Sequence, residues 1–289
     1  MKRFGVIGHP ISHSLSPLLH NTAFSLLGLE CTYEAFDVEP SSLAPAIRNF
    51  KDQGFAGLNV TIPHKETTIR HIEEQTDEAR ATGAVNTLVF EGSRIRGENT
   101  DIHGIAASLE EHRGTMGNQL AIVLGAGGSA RAVAYTLMNR FAFSEIVIAN
   151  RNVHRASSLI GDLARYRKGA SLRAIALPSG DLDRLLPLSS VVINATPVGM
   201  HPAIHLSPLS GDAEFHTGQI VMDLIYTPRE TQFLLQASRG GARTISGLEM
   251  FLHQGARSFE IWLGRRMPLE NLRTVITREL DSRQPPVIQ

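Results

Sequence analysis

The feature that most constrains the fold is an apolar run at residues 120–124 that leads directly into a glycine-rich turn. A continuous apolar run of this length is typical of a parallel strand that is buried on both faces. A helical pattern follows the turn at residues 132–141. The order of strand, turn and helix predicts a dinucleotide-binding α/β unit. The turn itself reads Gly125-Ala126-Gly127-Gly128-Ser129-Ala130-Arg131.

The residue types in this turn suit a dinucleotide for separate physical reasons. Gly125 permits the tight turn, Gly127 lets the backbone approach a pyrophosphate, and the small Ala130 allows the helix to pack on the strand. The phosphates would lie at the helix N-terminus, where unpaired N–H groups and the helix dipole favour anions. An ordinary turn is the alternative, but the flanking strand and helix favour nucleotide binding. The candidate cofactor ligands here are Gly125, Ala126, Gly127, Gly128, Ser129 and Ala130.

The next predicted strand, at residues 145–149, ends in a basic segment that bears on the choice of cofactor. NAD-binding proteins usually place an acid at this point to bind the ribose hydroxyls, whereas this chain has Asn150, Arg151 and Arg155. Two charge-assisted hydrogen bonds to a 2'-phosphate, at roughly 1.5–3 kcal/mol each, would favour NADP by about two to four orders of magnitude. A solvated basic turn is the alternative. We therefore predict a preference for NADP.

The loop at residues 194–200 follows another apolar strand, so we expect it at the same rim of the sheet as the glycine turn. Such a loop can line a nicotinamide pocket, and Thr196 is its candidate cofactor contact. Taken alone, the segment is equally well explained as a strand-to-loop turn.

The length of 289 residues predicts two domains, because single cores stop growing below this size in most folds. Short apolar runs alternate with helical patterns in the first hundred residues, which is typical of an α/β sheet. We predict strands at 4–7, 33–38, 57–61 and 84–90, helices at 18–27 and 43–50, and a turn at 91–94. The first unit is predicted to close near Asp101.

A second α/β unit is predicted to start after a helix at residues 102–113. Its strands are expected at 120–124, 145–149, 172–177, 191–195 and 220–224, each preceded by a segment of helix length. This alternation favours a doubly wound, Rossmann-like parallel sheet. The pattern after Gly247 is helical at 248–263 and 269–280, and the tail at 284–286 is predicted to be disordered.

The composition argues against several classes of function. Lys plus Arg and Asp plus Glu both number 28, so no global charge attracts nucleic acid or a membrane surface. Cys31 is the only cysteine, which excludes an internal disulfide and a cysteine-based zinc site. The histidines show no ligand spacing, so no metal is expected. A cytoplasmic location is expected, because no secretion signal and no apolar run of roughly 20 residues is present.

Four polar stretches follow or adjoin predicted strands of the first unit. In the first, at residues 9–17, Ser14 and Ser16 lie two positions apart, so both hydroxyls can face one way and bind a carboxylate. Capping of the next helix by Ser16, with Pro17 at the first helical position, explains the same residues equally well.

The other three stretches place further polar groups near strand ends. Asn59 and Thr61 are predicted to point to the same face of a strand, and Lys65 stands just past its end. The last two stretches supply Asn86 and Asp101. Turn chemistry explains each stretch singly, but four together favour a binding site.

Lys65 and Asp101 are the candidate pair for proton transfer. Reduction of a ketone by hydride needs a proton donor for the forming alkoxide, and a nearby carboxylate would orient the lysine. Such a group typically contributes roughly 10² to 10⁴ in rate. A surface ion pair is the alternative.

Across nearly the whole chain, the ordered motifs resemble those of the shikimate dehydrogenase family. The matching blocks are Pro10-Ile11-Ser12-His13-Ser14-Leu15-Ser16-Pro17 with His20-Asn21, Asn59-Val60-Thr61 to Lys65, residues 83–87, Asn99-Thr100-Asp101, residues 125–131, Asn150-Arg151, residues 194–200 and Asp223-Leu224-Ile225-Tyr226-Thr227-Pro228. So many blocks in one order make coincidence a poor explanation.

The resemblance implies a role for each matching side chain in substrate binding and catalysis. Ser14 and Ser16 would bind the substrate carboxylate, and Lys65 would be the acid/base. Tyr226 would reach the substrate across the cleft between the domains. The residues implied for the ring hydroxyls are Thr61, Asn86, Asp101 and Gln254.

The resemblance also implies the division of the chain. Leu224 and Gly247 match positions near the nicotinamide, and the helices after Gly247 would return to the first domain. The expected domains are therefore a substrate domain of residues 1–101 plus 248–289 and an NADP domain of residues 102–247.

The implied reaction is the reversible, NADP-dependent reduction of 3-dehydroshikimate to shikimate, a step of aromatic amino acid biosynthesis. A quinate or quinate/shikimate dehydrogenase is the nearest alternative, and a non-catalytic dinucleotide sensor on the same fold is another. The expected partner is a small molecule, with no nucleic acid and no membrane, and the expected state is a monomer or homodimer.

Overall fold

The computed structural model describes residues 1–117 and 119–283, so the tail predicted at 284–286 lies outside the described residues. The chain divides into two units of tertiary structure. Unit 1 combines Met1–Gly104 with Leu252–Gln289, and unit 2 is Ile105–Phe251.

Unit 1 contains the strands β1 (Lys2–Gly8), β2 (Cys31–Asp37), β3 (Gly57–Val60), β4 (Glu74–Gln75), β5 (Thr87–Glu91) and β6 (Arg94–Glu98). Its helices are α1 (Ser16–Leu26), α2 (Leu43–Asp52), α3 (Asp77–Thr82) and the start of α4 (Asp101–Glu110). The predicted strands and helices of the first hundred residues are all present, with ends within about three residues of their predicted positions.

The strands of unit 1 form a mixed sheet in the order β2-β1-β3-β5-β6-β4. β1 pairs in parallel with β2 and β3, whereas β5 is antiparallel to both β3 and β6. The C-terminal ends of β1, β3 and β6 and the N-terminal end of β5 therefore lie at the same end of the sheet. Each of the four polar stretches adjoins one of these strand ends, so the topology brings all four together.

Unit 2 contains the strands β7 (Leu120–Leu124), β8 (Glu145–Asn150), β9 (Ser171–Ala176), β10 (Val191–Asn194), β11 (Ile220–Asp223) and β12 (Arg243–Ile245). Its helices are α5 (Gly128–Arg140), α6 (Val153–Leu163), α7 (Gly180–Leu185) and α8 (Gln232–Arg239). All its strand pairs are parallel, in the order β12-β11-β10-β7-β8-β9. The direction of winding reverses between β7 and β10, which is the doubly wound topology that the sequence predicts.

Unit 2 differs in two places from the strands and helices that the sequence predicts. β12 is too short and too exposed to give a strand signal, since only Ile245 of its residues is buried. The segment 195–219 before β11 forms turns rather than the helix that its length allowed. Proline removes a backbone donor and disfavours the helical conformation of the residue before it. This segment contains Pro197, Pro202 and Pro208.

The helices α9 (Gly247–Leu263) and α10 (Leu269–Ser282) close the described chain, and most of α9 and all of α10 belong to unit 1. Trp262 donates a hydrogen bond from its indole nitrogen to the Leu88 carbonyl at 3.0 Å. A Cβ at Gly255 would come within 2.6 Å of Leu19, so the glycine allows close packing against α1. The C-terminal helices therefore return to the first sheet, as expected. Among the described residues, no helix combines the length and the apolar character needed to cross a bilayer.

The two faces of the first sheet bury separate apolar clusters, because successive side chains of a strand point to opposite faces. Ile7 and Leu58 pack with Ile47 of α2 on one face, and all three are fully buried. On the other face, the Phe4 ring stacks on Trp262 with centroids 4.9 Å apart. Burial on both faces makes the central strands a rigid support for the loops at their ends.

His20 is fully buried, and its neighbours include the aromatic rings of Phe24 and Phe259. Its ring stacks on Tyr33 at 4.3 Å between centroids, and neither ring nitrogen has a hydrogen-bond partner among the described residues. Burial lowers the pKa of His20 to about 3, because the charged imidazolium loses its hydration there. The side chain is therefore neutral at neutral pH.

Candidate active site

The polar end of the first sheet contains a buried ion pair. Lys65 Nζ lies 2.6 Å from Asp101 Oδ2, and the two side chains are 13% and 3% exposed. Charge-assisted hydrogen bonds of this length are roughly twice as strong as neutral ones. The surface ion pair that the sequence left open as an alternative is therefore wrong.

The backbone fixes Lys65 from both sides. Residues just past β3 form a tight turn in which the His64 amide donates to the Thr61 carbonyl at 2.9 Å. The Lys65 carbonyl in turn accepts a hydrogen bond of 2.8 Å from the Val85 amide, just before β5. The lysine thus bridges two adjacent strands at their polar ends.

Asp101 is the first residue of α4, where the helix dipole stabilises a negative charge. The Asp101 amide donates to Asn99 Oδ1 at 3.2 Å. The Asn99 side chain is itself held, because its Nδ2 donates to Thr82 Oγ1 and to the Ala84 carbonyl, both at 3.0 Å. The carboxylate therefore sits on a tightly connected backbone.

Asn86 contacts the carboxylate oxygen that Lys65 leaves free. Its Nδ2 donates to Asp101 Oδ1 at 2.7 Å and to Thr100 Oγ1 at 2.9 Å, while its Oδ1 accepts from the Thr100 amide at 2.7 Å. The side chain is buried. Asn86 thus orients Asp101, and a ligand hydroxyl can bind this amide only by replacing one of these bonds.

Ser14, Ser16 and Thr61 lie just past the ends of β1 and β3, at the same end of the sheet. A Cβ at Gly8 would come within 2.5 Å of the Thr61 methyl group, so this glycine allows the two loops to approach each other. Ser16 is the first residue of α1, and Leu15 before it gives no side-chain cap. Capping by Ser16 is therefore wrong as an explanation; instead, Ser14 Oγ accepts from the Ser16 amide at 3.2 Å.

Gln254 and Tyr226 are the substrate-binding candidates that lie farthest along the chain from Lys65, and they belong to separate units. Gln254 is half-buried on α9 in unit 1, and its carbonyl accepts a hydrogen bond of 3.1 Å from Ser258 Oγ one turn later. Tyr226 follows β11 in unit 2, and its ring packs on Phe251 with centroids 4.6 Å apart.

The glycine turn of unit 2 has the geometry that close backbone approach requires. Gly125 has a φ of +109°, and a Cβ there would lie 3.1 Å from the Ala195 carbonyl oxygen and from Thr196. Gly127 precedes α5, whose first backbone N–H groups have no carbonyl partner within the helix. Ala130 is fully buried where the helix packs on the sheet.

The basic segment after β8 is exposed. Asn150 Nδ2 donates to the Asn152 carbonyl at 2.8 Å, and Asn152 Oδ1 caps α6 by accepting from the His154 amide. Arg151 and Arg155 follow the strand end and are both exposed. In the described part of the chain, Arg151 has no ion-pair partner, so its guanidinium is available to an anion.

A buried polar pair joins the ends of β10 and β11. Asn194 Nδ2 donates to Asp223 Oδ1 at 3.0 Å, while Asn194 Oδ1 accepts from Thr196 Oγ1 at 2.7 Å. The Leu224 amide extends the pairing by donating to the Asn194 carbonyl at 3.0 Å. A Cβ at Gly247 would lie 2.4 Å from the Leu224 carbonyl oxygen, so only glycine fits there. The three cofactor candidates Thr196, Leu224 and Gly247 are therefore held by one framework.

Asp223 is fully buried and was not singled out as a site residue from the sequence. It accepts hydrogen bonds from the Ile225 amide at 3.0 Å and from Thr231 Oγ1 at 2.7 Å. Burial raises the pKa of Asp223 to about 6, although these hydrogen bonds act in the opposite direction. The available signal was a polar residue at the end of a buried strand, a feature that Asn194 shares.

Across residues 1–117 and 119–283, no group of three or more His, Cys, Asp or Glu side chains is arranged to hold a metal ion.

A doubly wound parallel sheet with a glycine turn, together with a buried lysine–carboxylate pair, is the combination found in dinucleotide-dependent dehydrogenases. Comparison with known families is more specific. Family models match residues 6–88 (shikimate dehydrogenase substrate binding domain), 108–232 (shikimate / quinate 5-dehydrogenase) and 247–276 (shikimate 5'-dehydrogenase C-terminal domain).

The chain belongs to the shikimate dehydrogenase family. It is 43% identical over 281 residues to the shikimate dehydrogenase (NADP(+)) of Methanopyrus kandleri, covering 96% of this chain and 95% of that protein. A crystal structure of a shikimate dehydrogenase with NADP+ superposes with a TM-score of 0.86 at 38% identity, covering 97% and 96% of the two chains. The Thermus thermophilus enzyme with NADP(H) and shikimate gives a TM-score of 0.82 at 35% identity, covering 96% and 99%.

Proposed function

We propose that this chain catalyses the NADP-dependent interconversion of 3-dehydroshikimate and shikimate. The buried Lys65–Asp101 pair carries the proposal, because it is a proton-transfer pair placed among hydroxyl and amide side chains. The relatives support it, because they are shikimate dehydrogenases and the similarity covers nearly their full length. The two solved structures described above also contain NADP.

Lys65 is proposed as the acid/base. Its ammonium donates a proton to the substrate oxygen during ketone reduction, and the neutral amine takes that proton back during alcohol oxidation. Asp101 holds the lysine in position and balances its charge, and it accepts from a ring hydroxyl. NADPH, when bound, supplies the hydride for the carbonyl carbon.

The remaining substrate contacts come from neutral side chains. The hydroxyls of Ser14 and Ser16 would bind the carboxylate, which needs donors but no net charge. Neither Ser16 nor Thr61 has a hydrogen-bond partner for its hydroxyl among the described residues, so both are available to a ligand. The proposed contacts to the rest of the ring are Thr61, Asn86, Tyr226 and Gln254.

The residues of unit 2 fit the cofactor at two points. The positive φ of Gly125 and the N-terminus of α5 suit a pyrophosphate, and the exposed Arg151 suits a 2'-phosphate. We assign NADP binding to residues 102–247 and substrate binding to residues 1–101 with 248–289. The proposed cofactor contacts are Gly125, Ala126, Gly127, Gly128, Ser129, Ala130, Asn150, Arg151, Arg155, Thr196, Leu224 and Gly247.

Initial rates with shikimate and quinate, each against NADP and NAD, test the proposal in four combinations. We expect shikimate with NADP to have the highest kcat/KM. A dominant rate with quinate would favour the quinate dehydrogenase alternative, and the absence of turnover with all four would favour a dinucleotide sensor. We place the enzyme in aromatic amino acid biosynthesis, in the cytoplasm, as a monomer or homodimer.

A further inference from the structure

Asn59 belongs to a polar stretch near the site, but its side chain points into the core of unit 1. It is buried, and it makes hydrogen bonds with both ends of its amide. The proposed reaction does not use this residue directly. A buried amide with this many partners has its geometry fixed and can fix the geometry of its neighbours.

The direction of each hydrogen bond around Asn59 follows from chemistry. The Tyr33 hydroxyl donates to Asn59 Oδ1 at 2.7 Å. Asn59 Nδ2 then faces only acceptors, which are Ser258 Oγ at 2.9 Å, Thr87 Oγ1 at 3.0 Å and the Asn86 carbonyl at 3.2 Å. The amide therefore accepts a hydrogen bond through its oxygen and donates hydrogen bonds through its nitrogen.

The hydrogen bonds continue from Thr87 to the side chain of Asn86. The hydroxyls of Thr87 and Thr100 each lie 3.1 Å from Asn86 Oδ1, which accepts from both. Asn86 Nδ2 in turn donates to Asp101 Oδ1 at 2.7 Å. Consecutive donors thus point toward the carboxylate, and each bond polarises the next in the same direction.

Ser258 joins this network from α9. Its hydroxyl lies 2.9 Å from Thr87 Oγ1 and 3.2 Å from Thr100 Oγ1, in addition to its bond from Asn59. The single proton of this hydroxyl can point either to Thr87 Oγ1 or to the Gln254 carbonyl, which lies 3.1 Å away. One buried serine therefore connects the sheet that carries Lys65 and Asp101 with the helix that carries Gln254.

We propose that Asn59 is a positioning residue for the proton-transfer pair, acting together with Tyr33 and Ser258. The three side chains fix Asn86, and Asn86 fixes the carboxylate of Asp101 at the geometry in which Lys65 exchanges its proton. This inference rests on the proposed function. Its competitor is a network that contributes to folding stability alone.

Tyr33→Phe is the sharpest test, because it removes one hydroxyl and leaves the ring in place against His20. We expect kcat for shikimate oxidation to fall about tenfold, since small displacements of reacting groups are costly. The KM for NADP should stay unchanged, and the solvent deuterium isotope effect on kcat should rise because proton transfer becomes slower. Ser258→Ala should reduce kcat a few-fold with the same pattern.

The matched control is Ser189→Ala in unit 2. Ser189 is as buried as Ser258, donates to the Leu186 carbonyl at 2.8 Å and accepts from Gln219 Nε2 at 3.2 Å. Its loss should lower Tm by a similar amount while kcat and the isotope effect stay at parent values. A combined Tyr33→Phe and Ser258→Ala variant should lose less than the product of the single effects, because both act through Asn59.

Each outcome decides the inference. Unchanged kcat in Tyr33→Phe and Ser258→Ala, or a loss that Ser189→Ala reproduces, would overturn it while an active parent enzyme still upheld the proposed function. No turnover of shikimate by the parent would overturn the proposed function and this inference together. If Tyr33→Phe does not fold, Ser258→Ala and its control give the answer alone.

Discussion

Asn86 donates a hydrogen bond to one carboxylate oxygen of Asp101, and the other oxygen is left to Lys65. Both neighbours are donors, so Asp101 must present two acceptors. An asparagine in place of Asp101 would have one acceptor group and one donor group. Whichever way this new amide is turned, its N–H group would face a donor, either the Asn86 amide nitrogen or the Lys65 ammonium.

Asp101→Asn should therefore lower kcat by roughly 10² or more, since it both removes the charge and disturbs the orientation of Lys65. It should also lower Tm by several degrees, because a buried donor is left facing a donor. Steady-state kinetics and thermal unfolding measure the two effects. Wild-type kcat in a folded Asp101→Asn protein would contradict the assigned role.

Lys65→Ala should reduce kcat by roughly 10² to 10⁴, because the proton donor is lost. NADP affinity, measured by fluorescence titration, should stay within about twofold, since NADP is assigned to the residues of unit 2. The control is Lys51→Ala, which removes a lysine whose Nζ donates to the Ser93 carbonyl at 2.9 Å and has no ion-pair partner among the described residues. Full activity in the Lys65 variant would remove this residue from the mechanism.

Arg151→Ala should weaken NADP binding by about 10- to 100-fold and leave NAD binding unchanged, because only NADP carries a 2'-phosphate. The comparison of kcat/KM for the two cofactors measures this. Arg239→Ala is a suitable control, since it removes an exposed arginine at the end of α8 in the same unit. Equal losses with NADP and NAD would argue against a 2'-phosphate contact.

Gly125→Ala should lower stability by roughly 1–3 kcal/mol and weaken NADP binding. The physical reason is its φ of +109° together with the 3.1 Å approach of the Ala195 carbonyl oxygen. Gly161 in α6 has open space around its Cα, so Gly161→Ala should stabilise by about 0.5–1 kcal/mol. Denaturant unfolding of both variants measures the contrast, and a neutral Gly125→Ala would contradict it.

His20 and Asp223 make opposing contributions to the pH dependence of stability. The pKa of His20 falls from 6.5 to about 3 on folding, so the unfolded chain binds the extra proton between these values and stability rises with pH there. The pKa of Asp223 rises from 3.8 to about 6, so the folded chain holds the extra proton and stability falls with pH in that window. Between about pH 4 and 6 the two slopes should largely cancel.

Substitution of either group should reveal the slope of the other. His20→Phe should make stability fall as pH rises from 4 to 6, and Asp223→Asn should make it rise, each by about 1.4 kcal/mol per pH unit at most. Urea unfolding at several pH values gives both slopes. The same slope in both variants would show that these two groups do not govern stability in this range.

The sequence predicted most of the strands because their apolar runs are continuous and end in polar or glycine-rich loops, as at β7. It also predicted the four polar stretches that converge at one end of the first sheet. It did not predict the partners of Asn59, because the Ser258 hydroxyl is 199 residues away along the chain. Local patterns show where a strand ends but not which distant helix packs against it.

During synthesis of the chain, the hydrogen-bond network around Asn59 cannot be complete until Ser258 has been added. A ribosome that adds about 5–20 residues per second delivers this serine roughly 10–40 s after Asn59, which lies 199 positions earlier. Until then the nascent sheet contains an amide and two threonine hydroxyls that lack one of their final partners. Newly made chains should therefore gain activity only when their last helices have left the exit tunnel, however early the first sheet forms.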